Sequence, residues 1–199
     1  MSLRFPFTAW RTLCAACAAV LLLGALAAGA PLQASVNPAV PGAALERSVK
    51  AAFLYKFLGY AEFPAGAFGD AAAPIVIGVL GADDMAADLA RIVAGRTVNG
   101  RPVAVRSLKE GDAIAGVHLL FVAGNDVGRV GRILRTAGQQ PLLLVTESEG
   151  GLQQGSVINF TIIDERVRFD VSLDAAEKNN VKLSSRLLTV AHQVHKGVN

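Results

Sequence analysis

The histidines of this chain are the side chains that could act in acid–base chemistry or hold a metal ion. His118 lies among apolar residues of a predicted strand, which favours a structural role over that of a catalytic base. His192 and His195 are three residues apart near the end of a predicted helix, but no carboxylate or thiolate lies near them in sequence to complete a metal site. The alternative function, an enzyme, would require His118 to lie beside Glu147 in an open pocket.

Three local groups of charged residues, one acidic group, one of arginines and one pair of glutamates, have a spacing that fits a solvated surface better than a reactive site. The acidic group fits a helix cap followed by an exposed helix face. The arginines advance by three along a predicted helix, which is typical of a solvated face, with an anion or an acidic partner as the alternative. A pair of glutamates follows a strand end, where α/β sheets commonly build sites. These groups are Asp83, Asp84 and Asp88; Arg129, Arg132 and Arg135; and Glu147 with Glu149.

Two glycine-rich segments could bring backbone N–H groups close to a ligand. Residues 124–131 follow a strand and open a helix, but the spacing of their glycines differs from that of a dinucleotide fingerprint. Residues 150–155 place two glycines before polar amides, which favours a tight connection between strands, with close approach of a ligand or partner as the alternative. We therefore expect no catalytic residues, no cofactor and no metal site.

The first 34 residues are typical of an export signal. Arg4 and Arg11 supply the positive start, an apolar run covers about residues 13–30, and small residues lead to a predicted cleavage after Ala34. Cleavage after Ala30 and an uncleaved membrane anchor are the alternatives, and each leaves the rest of the chain outside the cytoplasm. The sequence therefore predicts an exported protein.

Removal of this segment would change the composition of the working protein. The segment holds both cysteines and the only tryptophan, so no disulfide or thiol nucleophile would remain. The loss of Arg4 and Arg11, with no acidic residue, lowers the formal net charge from +3 to +1. A nearly neutral surface gives no reason to predict nucleic-acid binding.

The remaining chain predicts one α/β domain. Residues 35–43 are rich in Pro, Ala and Gly and predict a flexible segment, and residues 44–199 predict the domain. Apolar strands alternate with helices, which favours a mixed, mostly parallel sheet with helices on both faces. Strands at 157–163 and 166–173 are separated by two residues and predict a C-terminal antiparallel hairpin. We also expect helices at about 44–61, 83–93, 125–136 and 184–194, and strands at 75–80, 103–106, 117–122 and 142–145.

Two segments of the chain resemble the YfiR-like family of exported bacterial proteins. Residues 49–64, VKAAFLYKFLGYAEFP, look like the family's opening helix, with Phe63 where a tryptophan usually precedes the proline. Residues 150–191 are similar to its C-terminal half, with INF at 158–160, RVRFDV at 166–171 and LSSRLL at 183–188. Ser172 stands where many members have asparagine. The similarity covers nearly all of the chain after residue 48.

The resemblance implies a periplasmic regulatory protein and not an enzyme. The best understood type of this family restrains an inner-membrane diguanylate cyclase, and so lowers cyclic-di-GMP signalling and affects biofilm behaviour. It therefore implies, as partner, the periplasmic domain of an inner-membrane GGDEF protein, with the membrane contacted only through that partner. A homodimer is an open alternative. The alternative function is a periplasmic small-molecule-binding protein associated with a transporter, which would need a ligand cleft.

Two surfaces are candidates for partner binding. The first is an aromatic stripe on the first predicted helix, although core packing is expected to take at least two of its members. The second combines the 150–155 loop with the exposed face of the hairpin, where a charge reversal should relieve repression of the cyclase at little cost in stability. The candidate residues are Phe53, Phe57 and Tyr60 on the stripe, Gly151 and Leu152 in the loop, and Arg168 and Asp170 on the hairpin.

Overall fold

The computed structural model describes residues 41–70, 72–137 and 140–197. The predicted export signal and most of the predicted flexible segment lie outside these residues. The helices are α1 Pro41–Leu58, α2 Asp83–Val93, α3 Val127–Ala137, α4 Leu173–Lys178 and α5 Ser185–Val190. The strands are β1 Ala61–Glu62, β2 Ile75–Leu80, β3 Thr97–Val98, β4 Arg101–Leu108, β5 Leu119–Val122, β6 Leu143–Thr146, β7 Ile158–Ile163, β8 Arg166–Ser172, β9 Lys182–Leu183 and β10 Gln193–His195.

The main sheet is mixed and mostly parallel, in the order β10-β8-β7-β6-β5-β2-β4-β3. Strands β4, β2, β5, β6 and β7 run parallel to one another, whereas β3 pairs antiparallel with β4, and β7 and β8 form an antiparallel hairpin. Asp164 and Glu165 join the hairpin with φ values of 48° and 58°, as a two-residue turn between twisted strands requires. Strands β1 and β9 form a separate antiparallel pair.

Both faces of the sheet are covered by helices, because all four residues of β5 are buried and successive residues belong to different cores. Leu119 and Phe121 belong to one core with residues of α1, α2, α4 and α5, whereas Leu120 and Val122 belong to a second core with Val130 of α3. Because successive strand side chains point to opposite faces, a strand buried on both sides becomes a continuous apolar run. The predicted fold class is therefore confirmed: a mixed α/β domain with helices on both faces and a C-terminal hairpin.

The end of the chain differs from the prediction. We expected one helix over 184–194, but α5 ends at Val190 and residues 193–195 form β10, which pairs in parallel with β8. The edge of β8 offers unpaired backbone groups, and the His192 N–H donates to the Phe169 carbonyl at 2.9 Å. Pairing with this edge replaces the last helical turn, so the prediction that His192 and His195 lie near the end of a helix was wrong.

Smaller differences concern the ends of other elements. Helix α1 begins three residues earlier than predicted and ends at Leu58, before the short strand β1. The predicted cap of α2 by Asp83 or Asp84 was wrong, because Ala82 occupies the cap position and no side chain caps the helix. Among the described residues, no helix has the length and apolar character needed to cross a membrane.

Candidate functional site

His118 is part of the packing at the amino ends of the parallel strands. Its ring is 5% exposed, stacks on Phe68 at 4.6 Å between centroids and meets Phe63 edge-on at 5.7 Å. Nδ1 accepts the Val76 N–H at 3.1 Å, and Nε2 lies 3.1 Å from the Ala67 carbonyl oxygen. Burial lowers the pKa of His118, so the neutral ring donates Nε2–H to Ala67. The residue is structural, and it does not lie beside Glu147.

Lys50 joins helix α1 to the carboxyl ends of β5 and β6. It is 6% exposed, and its Nζ donates to Glu147 Oε2 at 2.7 Å and to Glu46 Oε1 at 2.5 Å. The second oxygen of Glu147 accepts the Gly124 N–H at 2.9 Å, just after β5. Burial alone would lower the pKa of Lys50, but the hydrogen bonds and charges of Glu147 and Glu46 raise it above the ordinary value. The ammonium group is therefore held charged at this edge.

An open cleft of about 560 Å³ lies beside this ion-pair network, and we call it the carboxyl-edge cleft. It is lined by residues of α1, of the segments after β5 and β6, and of β7. Strand β6 pairs with β7 only through Val145–Ile158 and Thr146–Asn159, and then β6 ends. Because β7 continues to Ile163, its last residues form a wall that no strand of the described residues borders on the β6 side. This is the edge at which α/β sheets commonly bind ligands.

Hydroxyl groups in or beside the cleft differ in their hydrogen bonding. Thr146 Oγ1 lies 2.9 Å from Ser156 Oγ and donates to Asn159 Oδ1 at 2.6 Å, so these groups satisfy one another. Ser148 Oγ and Thr161 Oγ1 are buried atoms that have no hydrogen-bond partner among the described residues, and both residues line the cleft. Buried polar atoms normally have a hydrogen-bond partner, so these two hydroxyl groups depart from the usual pattern.

A second depression, which we call the apolar groove, runs between α1 and the tip of the β7–β8 hairpin. It measures about 790 Å³ and is lined by Leu45, Phe53, Ile162 and Arg168, among others. Leu45 is 67% exposed and Ile162 is 51% exposed, which is unusual for large aliphatic side chains brought so close together. Glu46 and Ile162 line both the groove and the carboxyl-edge cleft, so the two sites adjoin.

The aromatic stripe predicted on the first helix divides between core and surface. Phe57 is 1% exposed and packs at 5.0 Å from Phe169 and 5.8 Å from Phe160, so it lies in the core. Phe53 is half-buried and faces the apolar groove. Tyr60 is half-buried and packs against the core away from the groove. Of the three residues, Phe53 is the one that a partner in the groove could reach.

The other predicted partner residues lie in different surroundings. Gly151 is buried, and a Cβ there would lie 2.6 Å from Asn159 Oδ1 and closer still to Thr146 Oγ1. Its neighbour Leu152 is half-buried. Arg168 is exposed at the apolar groove. Asp170 binds His192 at 3.0 Å beside β10, and its side chain is 15% exposed. The structure thus brings Phe53 and Arg168 together at the apolar groove, whereas the other five predicted partner residues do not line it.

Arg129 and Arg132 of α3, and Asp84 and Asp88 of α2, lie in ion-pair networks. Arg132 contacts Asp126 at 2.8 Å and Glu110 at 3.0 Å, and these acids raise its pKa. Arg47 of α1 holds Asp88 of α2 at 2.9 Å. The exposed Arg132 pairs fit the solvated face expected for α3, whereas the Arg47–Asp88 pair is partly buried, with the Asp88 side chain 12% exposed. Among the described residues, no group of three histidines, cysteines or carboxylates is arranged to hold a metal ion.

Sequence reasoning missed Lys50, Ser148, Leu45 and Ile162. The i,i+4 spacing of Glu46 and Lys50 indicated a local ion pair, but not the contact with Glu147, which lies 97 residues away. Leu45 and Ile162 carry no signal, because an exposed aliphatic residue becomes informative only through its neighbours in space. The burial of Ser148 depends on the turn after β6, where the Gly151 N–H donates to its carbonyl.

Comparison with known proteins identifies the family of the chain. No curated protein matches it. The sequence model of the YfiR/HmsC-like family matches residues 47–192, which include everything from the first turns of α1 to the residue before β10. Two departures from the family pattern now have structural explanations. Phe63 packs against Phe68 and His118, and Ser172 Oγ caps α4 by accepting the Ala175 N–H at 3.2 Å. The chain belongs to the YfiR/HmsC-like family.

Proposed function

We propose that this chain is a periplasmic regulatory protein that binds the periplasmic domain of an inner-membrane GGDEF protein and lowers its diguanylate cyclase activity. Membership of the YfiR/HmsC-like family over residues 47–192 is the observation that carries the proposal. In this proposal residues 1–34 are removed on export, and the protein acts by docking and not by catalysis. Residues 35–43 then precede the regulatory domain at 44–199.

We assign the docking to the apolar groove. An exposed leucine and an exposed isoleucine on adjoining elements form the apolar centre that stable interfaces have. Arg166 and Arg168 line the same groove, both are exposed, and within the described residues neither forms an ion pair. Glu165 also lines the groove, and Glu46 lines it but is paired with Lys50, so the remaining charged side chains of the groove carry one net positive charge. The partner segment that fits this surface is apolar with an acidic residue beside it.

The cellular test compares cyclic-di-GMP in cells with and without the gene. Deletion should raise cyclic-di-GMP, and loss of the cognate GGDEF protein should cancel that rise. Unchanged cyclic-di-GMP after deletion would overturn the proposal. A transporter-associated carrier would instead change the uptake of a solute and leave cyclic-di-GMP unaltered.

The groove is tested with Leu45→Gln in α1. Loss of one buried leucine from an interface should weaken binding of the purified GGDEF periplasmic domain by about tenfold or more, because such a side chain contributes roughly 1.5–3 kcal/mol. Val190→Gln is the matched control, since Val190 is also an exposed aliphatic residue on a helix, 62% exposed, and lies outside the groove. Binding is measured by calorimetry.

Arg168→Glu tests the charge at the groove and should also weaken repression. The side chain makes no ion pair among the described residues, so unfolding should be nearly unaffected. Asp170→Arg would also remove the contact between Asp170 and His192, so a change in repression could not be assigned to the groove alone. If Leu45→Gln and Arg168→Glu both bind and repress like wild type, the groove is not the docking surface.

A further inference from the structure

We infer that the carboxyl-edge cleft binds a small organic cation whose amine lies beside hydroxyl groups, as in an amino sugar or an amino alcohol. The inference goes beyond docking to the cyclase and does not depend on it. It rests on three properties of the cleft: its place and size, its unpaired hydroxyl groups, and its charge.

The place and size of the cleft fit a small ligand. It lies at the carboxyl ends of β5 and β6, where open α/β sheets bind ligands. Its volume of about 560 Å³ falls within the range of small-molecule pockets. The cavity exists because β6 ends at Thr146 while β7 continues, so it is a feature of the strand lengths and not of a surface side-chain conformation.

The unpaired hydroxyl groups indicate that something polar completes the site. Ser148 is 2% exposed, yet its Oγ has no hydrogen-bond partner in the part of the chain that the structure describes, and the same holds for the buried Oγ1 of the half-buried Thr161. An unsatisfied buried hydroxyl costs about 1–3 kcal/mol. A ligand with hydroxyl groups can donate to and accept from both side chains, because a serine or threonine hydroxyl does either.

The charge of the cleft selects a cation. Glu46, Glu147 and Glu149 line it together with Lys50, so the carboxylates exceed the ammonium group by two. Lys50 already donates to Glu46 and Glu147, whereas Glu149 is exposed and has no ion pair among the described residues. An incoming amine therefore finds excess negative charge, and an anionic ligand is repelled.

The test measures binding of three sugars to the purified chain by calorimetry and thermal shift. Glucosamine carries an amine and hydroxyl groups, glucose carries hydroxyl groups alone, and glucuronate adds a carboxylate. We expect saturable binding of glucosamine at mildly acidic pH, about tenfold or more weaker binding of glucose, and no binding of glucuronate. Absence of glucosamine binding, or equal binding of glucose, would overturn the inference.

Two serine variants separate the ligand role from a role in folding. Ser148→Ala removes an unpaired hydroxyl, so it should keep or raise the melting temperature and weaken glucosamine binding about tenfold. Ser156→Ala is the matched control, since Ser156 is 0% exposed and its Oγ is bonded to Thr146. It should lower the melting temperature. If Ser148→Ala binds glucosamine as wild type does, the hydroxyl is not part of a site and the inference fails.

The purified-chain assay also keeps the inference separate from the proposed function. Binding of glucosamine requires no cyclase, so a negative result would leave the docking proposal intact. Conversely, a chain that failed to repress the cyclase could still bind the sugar.

Discussion

The two ends of the parallel strands bury polar groups in opposite ways. At the amino ends, both ring nitrogens of His118 have partners, and the ring lies against Phe63 and Phe68. At the carboxyl ends, Ser148 Oγ and Thr161 Oγ1 have none, although each atom is buried. The polar groups of the first arrangement are paired among the described residues, and these two hydroxyl groups of the second are not.

This difference separates stability from binding within one sheet. A buried polar group with every partner in place fixes the local structure, as His118 fixes the segment around Ala67 to β2. A buried group without a partner lowers stability, and a binding site is where such a cost is offset by a ligand. The ion pairs of Lys50 allow the carboxyl edge to remain folded while its hydroxyl groups stay free.

Lys50→Met is expected to have the largest effect on stability. It leaves Glu147, and with it Glu46, without a counter-charge at a partly buried position, and breaking a buried pair from one side costs about 3–5 kcal/mol. The free energy of unfolding in urea measures the loss. The matched control is Arg132→Met, which also removes a cation between two carboxylates, Glu110 and Asp126.

The control should lose no more than about 1 kcal/mol, because the side chains of Arg132, Glu110 and Asp126 are 47%, 59% and 43% exposed. Equal losses in the two variants would show that burial of the Lys50 network adds nothing to the free energy of unfolding. The carboxyl edge would then depend on apolar packing alone.

Gly151→Ala is expected to have the second largest effect. The added Cβ would lie 2.6 Å from Asn159 Oδ1 and closer to Thr146 Oγ1, so the paired hydroxyl network beside the cleft must move. Such overpacking costs about 1–3 kcal/mol. Gly66→Ala is the control, because a Cβ at Gly66 has nothing within 4 Å. The melting temperatures of the two variants are compared. Equal values would mean that the hydroxyl network around Thr146 and Asn159 can move without a loss of stability.

The sequence predicted the scaffold of this sheet better than its sites. Strand β2 was predictable because the Ile75–Leu80 run is apolar throughout, and the hairpin because residues 166–172 alternate between buried and exposed faces. Strand β10 was not, since residues 193–195 have no strand pattern of their own and depend on the edge of β8. The contact between Lys50 and Glu147 was hidden for the same reason: it joins segments far apart in sequence.

His118 should give the smallest effect, one confined to acidic solution. Burial lowers its pKa in the folded chain below the ordinary value of 6.5, helped by the charge of Arg101 and opposed by the bond to Ala67. Above this ordinary value, both the folded and the unfolded chain hold a neutral His118, so it contributes no pH dependence. As the pH falls below it, His118 binds a proton in the unfolded chain but not in the folded chain. The free energy of unfolding therefore decreases until the pH reaches the pKa of His118 in the folded chain.

His118→Gln should therefore flatten the acid side of the stability curve, measured as free energy of unfolding in urea across a pH series. The comparison uses slopes, because the replacement also changes packing against Phe68 and so shifts the whole curve. A nuclear magnetic resonance titration of the His118 ring in the wild-type chain provides the second measurement, and its midpoint should lie below that of a free histidine. If the two stability curves run parallel and the ring titrates as free histidine does, the amino end is open to water. The contrast between the two ends of the sheet would then be lost.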